Sequence, residues 1–180
     1  CLRNPIERAY SHYMMDYNST LQDEEDFIKA LKKDYFSDKE KKWGLSHLYV
    51  ELGFYYKQVK RYMDLFPKDN IHFVFLDDIK SSRLETINSV MDFLCLDHFK
   101  HDRFVIHNKG KEASNLFFRR LILLYKQYSF LLDNFSMLKK IGKFILMRNS
   151  RKRKIPKDAV VFLRALYKKD IDFYNNLKIK

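Results

Sequence analysis

The chain has 180 residues, enough for one domain with a substantial core. Hydrophobic residues at 46% exclude a disordered chain, and 16% aromatics promise a core rich in Phe and Tyr. Lys and Arg outnumber Asp and Glu by 35 to 23, and the resulting formal charge of +12 predicts an anionic partner: nucleotide phosphates, a sulfated or acidic substrate, nucleic acid or a membrane surface.

With four Gly and three Pro, the chain excludes long flexible linkers and all-β architectures, and helical periodicity dominates. Cys1-Leu2-Arg3 reads as a strand end and Asn4-Pro5 as a capped helix start. Ile6, Ala9, Tyr10, Tyr13 and Tyr17 then form the inner face of the first helix, with Arg8, Ser11 and His12 opposite. Asp23 is the expected cap of a second helix with Phe27, Ala30, Leu31 and Tyr35 inside. A charged stretch over 38–42 leads through Trp43-Gly44 into a third helix. Its stripe is Leu52, Tyr55, Tyr56, Val59, Tyr62, Met63 and Phe66, and Pro67 stops it. The apolar run 71–76 predicts a strand buried on both faces, as in a parallel sheet, and Asp77-Asp78 ends it. Ser81 or Ser82 caps a helix carrying Leu84, Ile87, Val90, Met91 and Leu94. A polar loop runs over 97–112, further helices fill 113–144, and a basic segment spans 148–154. Pro156 opens one last helix with Val160, Leu163, Leu166, Tyr167, Ile171 and Tyr174 inside.

The most apolar stretch, 116–132, is interrupted by Arg119, Arg120, Lys126 and Gln127, so no run reaches the roughly 20 residues of a bilayer span and the chain reads as soluble. Two cysteines, Cys1 and Cys95, make no disulfide framework, which leans towards a reducing, cytoplasmic setting. The six histidines show no zinc spacing. His98 and His101 with Asp97 and Asp102 come nearest to a metal set, but nothing completes it, and no metal is expected.

The opening turn is where the chemistry concentrates. A helix N-terminus supplies unpaired amides and the positive end of the helix dipole, Arg3 a planar fork of donors, and Ser11 a hydroxyl. That combination suits a phosphate; the plain alternative is an Arg3–Glu7 ion pair.

The segment Leu2-Arg3-Asn4-Pro5-Ile6-Glu7-Arg8-Ala9-Tyr10-Ser11-His12-Tyr13 resembles the 3′-phosphate-binding segment of sulfotransferases that use 3′-phosphoadenosine 5′-phosphosulfate (PAPS). The likeness continues in order. Gly53-Phe54-Tyr55 resembles the family's Gly-x-Tyr helix, and Phe66-Pro67 with 71–79 its Phe-Pro, strand, acidic run. Phe93-Leu94-Cys95-Leu96 is similar to its Phe-Leu-Gly-Leu helix end, with Cys95 in place of Gly. His107-Asn108 is similar to a loop of the bacterial and glycan-directed branches, and Leu163, Tyr167, Asp170 and Ile171 to the closing helix.

The resemblance implies a P-loop-like, three-layer α/β domain, of which 1–180 is the predominantly helical C-terminal part without the N-terminal 5′-phosphosulfate loop. It implies that Arg3 and Ser11 hold the 3′-phosphate of PAPS, with Lys109, Gly110 and Lys111 candidates for a lid over it or for a simple solvated loop. It implies sulfuryl transfer to an acceptor hydroxyl or amine, possibly on a carbohydrate, with no metal and no nucleic-acid partner. It names no catalytic residue within this chain; His12 and His47 read as surface or supporting histidines, and Arg8 and Tyr55 serve either the fold or the ligand cleft. A non-catalytic basic helical module that binds nucleic acid or an acidic partner is the alternative.

Overall fold

A computed structural model describes residues 1–38, 40–42, 44–100, 111–113, 147–149 and 154–179. The helices are α1 (Pro5–Asn18), α2 (Phe27–Tyr35), α3 (Tyr55–Leu65), α4 (Leu76–Ser81), α5 (Arg83–Phe93), α6 (Lys157–Leu166) and α7 (Lys168–Ile179). Short 3-10 turns at Glu51–Gly53 and Lys68–Asn70 precede α3 and the extended segment after it. Strands β1 (Lys111–Ala113) and β2 (Met147–Asn149) pair antiparallel, with Lys111 opposite Asn149.

The core forms where α1, α2, residues 48–50 and α6 meet. Ile6, Ala9 and Tyr13 of α1 interlock with Phe27, Ala30 and Leu31 of α2, with Tyr49 and Val50, and with Ala159, Leu163 and Tyr167. The inner faces expected of the first two helices are the ones buried. The α2 cap is Asp26 rather than Asp23: its carboxylate accepts from the Ile28 and Lys29 amides at 3.0 and 3.3 Å. Asp26 stands directly before Phe27, where a short side chain reaches the exposed amides of the first turn.

The closing segment locks this core to α3. It bends into two helices at Tyr167, whose ring is fully buried and whose hydroxyl donates to the carbonyls of Val50 at 2.7 Å and Tyr49 at 3.4 Å. Gly53 packs directly on that ring: a Cβ there would overlap Tyr167 Cζ and Oη and lie 2.8 Å from Cε1. Three residues on, Asp170 accepts the Tyr56 amide at 2.8 Å and so caps α3 from a different helix. Tyr56 meets Phe173 edge-to-face at 5.4 Å, and the Lys169 ammonium stands 3.7 Å over its ring.

Two expectations fail around α3. Of its apolar stripe only Tyr55 is buried, while Tyr62 is 63% and Phe66 49% exposed. The run 71–76 makes no ladder: it holds one parallel bridge, Leu2 to Phe75, flanked by Leu2 N–H to Val74 O at 2.7 Å and Leu76 N–H to Leu2 O at 2.8 Å. Phe75 is buried, and 71–74 are only half-buried. A parallel strand is enclosed only when layers cover both of its faces. Among the described residues α3, 70–74 and α5 instead line an open apolar groove of about 520 Å³. Past Phe75 the chain turns straight into α4, a helix the sequence reading missed, before α5 begins after Ser82.

At the end of α5, Leu96 N–H bonds Met91 O at 2.9 Å and Cys95 adopts φ +54, the left-handed residue of a Schellman-type stop. The substitution for Gly is therefore not conservative for the backbone. Within the basic and polar stretches, Lys111 and Glu112 belong to β1 and Arg148 to β2. Of the helices expected over 113–144, Ala113 instead ends β1 and the rest lie outside the described residues, as do the His107-Asn108 loop, Trp43, His101 and Asp102.

Candidate anion-binding site

The parallel bridge fixes where a site can form. Leu2 and Phe75 lie side by side and run the same way, and each feeds a helix, α1 from Pro5 and α4 from Leu76. Ligands of open α/β sheets bind beyond such carboxyl ends. Arg3 is the first residue past the bridge.

Most of the first-turn amides are already satisfied. Pro5 has no amide hydrogen, Asn4 Oδ1 accepts from Ile6 at 3.0 Å and Glu7 at 3.4 Å, and the Arg8 amide bonds the Asn4 carbonyl at 2.9 Å. The sequence argument counted on unpaired amides; the Asn cap takes them. An anion at this turn would be held chiefly by side chains, with the helix dipole favouring it from behind.

Those side chains line up. Arg3, Glu7 and Ser11 recur every four residues and so follow one side of α1 and its approach. The rise of the helix sets Ser11 roughly 6 Å beyond Glu7 along the axis. Arg3 donates to Glu7 Oε2 from Nε at 3.4 Å and from Nη2 at 3.3 Å, so the ion pair named as the plain alternative is present. Ser11 is exposed. Strand β1 packs against α1, and Lys109 and Gly110 lie outside the described residues.

The opposite flank of the turn is packed inward. Tyr55 is buried at the start of α3, and burial pushes its phenol up against the opposing pull of the Arg8 and Arg3 charges and the Arg3 amide. The Arg8 charge also opposes the burial that pushes the Tyr167 phenol up, and Arg8 Nη1 is buried with no hydrogen-bond partner among the described residues. Burial of Tyr55 and of Arg8 Nη1 puts both on the inward-packed side of the turn.

From the other side comes α7. The Tyr174 hydroxyl donates to Asp77 Oδ2 at 3.2 Å, and Lys178 Nζ lies 3.6 Å from both Asp77 and Asp78. Burial pushes the Asp77 carboxyl up, but Tyr174, Lys178 and Lys80 outweigh it and hold the group below the usual range. The Tyr174 phenol is pushed up by burial and by Asp77, with Asp78 and Glu7 adding to the effect. Lys178 is a cation at this edge that sequence reasoning missed; no motif links it to residues about a hundred positions earlier.

His12 and His47 have a different place. His47 Nδ1 is 2.8 Å from Asp16 Oδ2, which also accepts the Tyr49 hydroxyl at 3.1 Å, and His12 Nε2 lies 3.8 Å from the same oxygen. The His47 ring stacks on Tyr49 at 4.8 Å, and His12 meets Tyr49 edge-on at 5.2 Å. Asp34 completes the cluster, accepting the amides of His47 at 2.9 Å and Tyr49 at 3.2 Å. Burial lowers the His12 pKa, opposed by Asp16 and assisted by Arg8 and His47. Both imidazoles support the loop over 46–50. No sequence signal could show this, because the partners are up to 37 residues apart, from His12 to Tyr49.

Among the described residues no three His, Cys, Asp or Glu side chains form a metal set; His98 instead pairs with Asp92 at 2.5 Å. No described helix is long and apolar enough to cross a membrane.

Neither a curated protein nor a solved structure shows a significant match to the chain. The family model described as "Sulfotransferase domain" matches residues 1–112, which take in the Arg3–Ser11 turn, the Leu2–Phe75 pair and the helices α1 to α5. With well over half its length matched and the motif-bearing turn inside the match, the chain belongs to the sulfotransferase domain family.

Proposed function

We propose that the protein transfers a sulfuryl group from PAPS to an acceptor hydroxyl or amine, and that Arg3 and Ser11 hold the donor's 3′-phosphate. The observation that carries this reading is the line of Arg3 and Ser11 along α1 at the carboxyl end of the Leu2–Phe75 pair, within a sulfotransferase domain. The donor set suits a phosphate: a guanidinium fork, an exposed hydroxyl, and the positive end of a 14-residue helix. The same reading extends the fold to a P-loop-like three-layer α/β domain, whose parallel sheet the Leu2–Phe75 bridge would begin.

When PAPS is bound, the acceptor oxygen or nitrogen attacks sulfur as the bond to the 5′-phosphate oxygen breaks, leaving adenosine 3′,5′-bisphosphate. Arg3 and Ser11 act away from that centre; they bind and orient the nucleotide, and remote binding energy of this kind serves alignment. His12 and His47 are engaged with Asp16, so neither is assigned the proton-accepting role. Lys109, Gly110 and Lys111 are the lid candidates of this reading, and the net charge of +12 favours an anionic acceptor such as an acidic carbohydrate.

Calorimetry of the intact protein with adenosine 3′,5′-bisphosphate tests the assignment. Arg3→Ala should weaken binding by about 10- to 100-fold, the range for losing a charge-assisted phosphate contact. No binding of the bisphosphate, together with steeply salt-dependent binding of DNA or RNA, would replace the assignment with a nucleic-acid-binding module.

A further inference from the structure

The guanidinium that this reading gives to the nucleotide is not an isolated cation. Its Nε and Nη2 both donate to a single carboxylate oxygen, Glu7 Oε2, at 3.4 and 3.3 Å. These two nitrogens form the edge of Arg side chains that grips a phosphate with two parallel bonds. Glu7 is also the residue between Arg3 and Ser11 on α1, so its carboxylate stands in the line the phosphate would occupy. A dianionic group entering there meets a fixed negative charge and must take the guanidinium edge from it.

We propose that Glu7 is a specificity-determining counter-ion of the anion site, holding Arg3 in place and competing with the nucleotide's 3′-phosphate for its Nε–Nη2 edge. The proposal rests on the nucleotide assignment made above. The Glu7 side chain is 45% and the Arg3 side chain 28% exposed, so the pair is solvated enough to exchange partners. The carboxylate plays no part in the helix cap, which uses the Glu7 backbone amide, so its removal leaves the Asn4 cap intact.

The consequence is a modulated affinity. A pair this exposed is weak, and its removal releases Arg3 for the phosphate while also removing a like charge from the phosphate's path. Glu7→Gln should therefore bind adenosine 3′,5′-bisphosphate about two- to tenfold more tightly than the parent protein. The gain should vanish with adenosine 5′-monophosphate, which has no 3′-phosphate. A purely structural role for Glu7 would weaken both ligands together and lower the melting temperature.

The experiment is calorimetry of the intact protein and its Glu7→Gln, Glu7→Ala and Arg3→Ala variants with both nucleotides, each variant checked by circular dichroism and thermal melting. Tighter binding of the bisphosphate by both Glu7 variants, with no change for the monophosphate, supports the proposal. Equal or weaker bisphosphate binding by folded Glu7 variants overturns it, provided the parent protein binds and Arg3→Ala binds more weakly. If the parent protein fails to bind the bisphosphate, the nucleotide assignment falls and the proposal falls with it. The two failures are thus distinguished by the parent protein alone.

Discussion

Replacing Gly53 by Ala tests how the C-terminal segment holds α3 beside the site. The added methyl overlaps Tyr167 Cζ and Oη, and the ring has nowhere to go: it is fully buried, and its hydroxyl is bonded to Val50 O at 2.7 Å. Overpacking of this kind costs about 1–3 kcal/mol. Swinging the ring away gives up a buried hydrogen bond, about 1 kcal/mol more. Against this, Gly→Ala at a site without positive φ stabilises by roughly 0.4–1 kcal/mol through the unfolded chain; Gly53 is such a site, since only Gly44 among the described glycines has φ above zero. The net loss is about 1–3.5 kcal/mol, or roughly 2–14 °C in melting temperature for a chain of this size. Urea titration followed by far-ultraviolet circular dichroism measures it. The double variant Gly53→Ala/Tyr167→Leu should cost at least about 1 kcal/mol less than the sum of the two single changes, because the smaller side chain removes the overlap. A Gly53→Ala protein as stable as the parent, or more stable by the backbone increment, would refute the close packing of residue 53 on Tyr167.

Two further outcomes follow from local geometry. Cys95→Gly should raise stability by about 1 kcal/mol, read from the urea midpoint, because Cys95 holds φ +54 at the end of α5, where a side chain is disfavoured and Gly is not. His12 should contribute acid sensitivity: its native pKa lies below the unfolded value of 6.5, so its contribution is fully present above pH 6.5 and is lost as pH falls through 6.5 towards the native value. Proton NMR of the imidazole should show the depressed titration, and His12→Asn should flatten the stability profile below pH 6.5. An unshifted His12 titration would contradict its burial between Arg8, Asp16, His47 and Tyr49.

Much of the site was legible because its parts are close in sequence. Asn4-Pro5 determines a helix start by local chemistry, and the apolar spacing of Ile6, Ala9 and Tyr13 determines which face turns inward, leaving Arg3, Glu7 and Ser11 along another side. The family motif and the Arg3–Glu7 alternative could be read for the same reason. Where a helix stripe needs a partner surface, sequence gave less: periodicity identified α3, but could not say that Tyr62 and Phe66 would face an open groove. Periodicity reports amphipathicity, and burial depends on what lies opposite.

The sequence by itself determined the helical character, the capped turn and the candidate anion ligands, since each is set by neighbours within one or two helical turns. Tertiary structure decided the rest. It spent the first-turn amides on Asn4, paired Arg3 with Glu7, drew His12 and His47 onto Asp16, and brought Lys178 to Asp77 and Asp78. It also showed why Gly53 and Asp170 matter, one as the floor under the Tyr167 ring and the other as the cap of α3. These contacts join residues as many as 114 positions apart, and only the folded chain brings such partners within bonding distance.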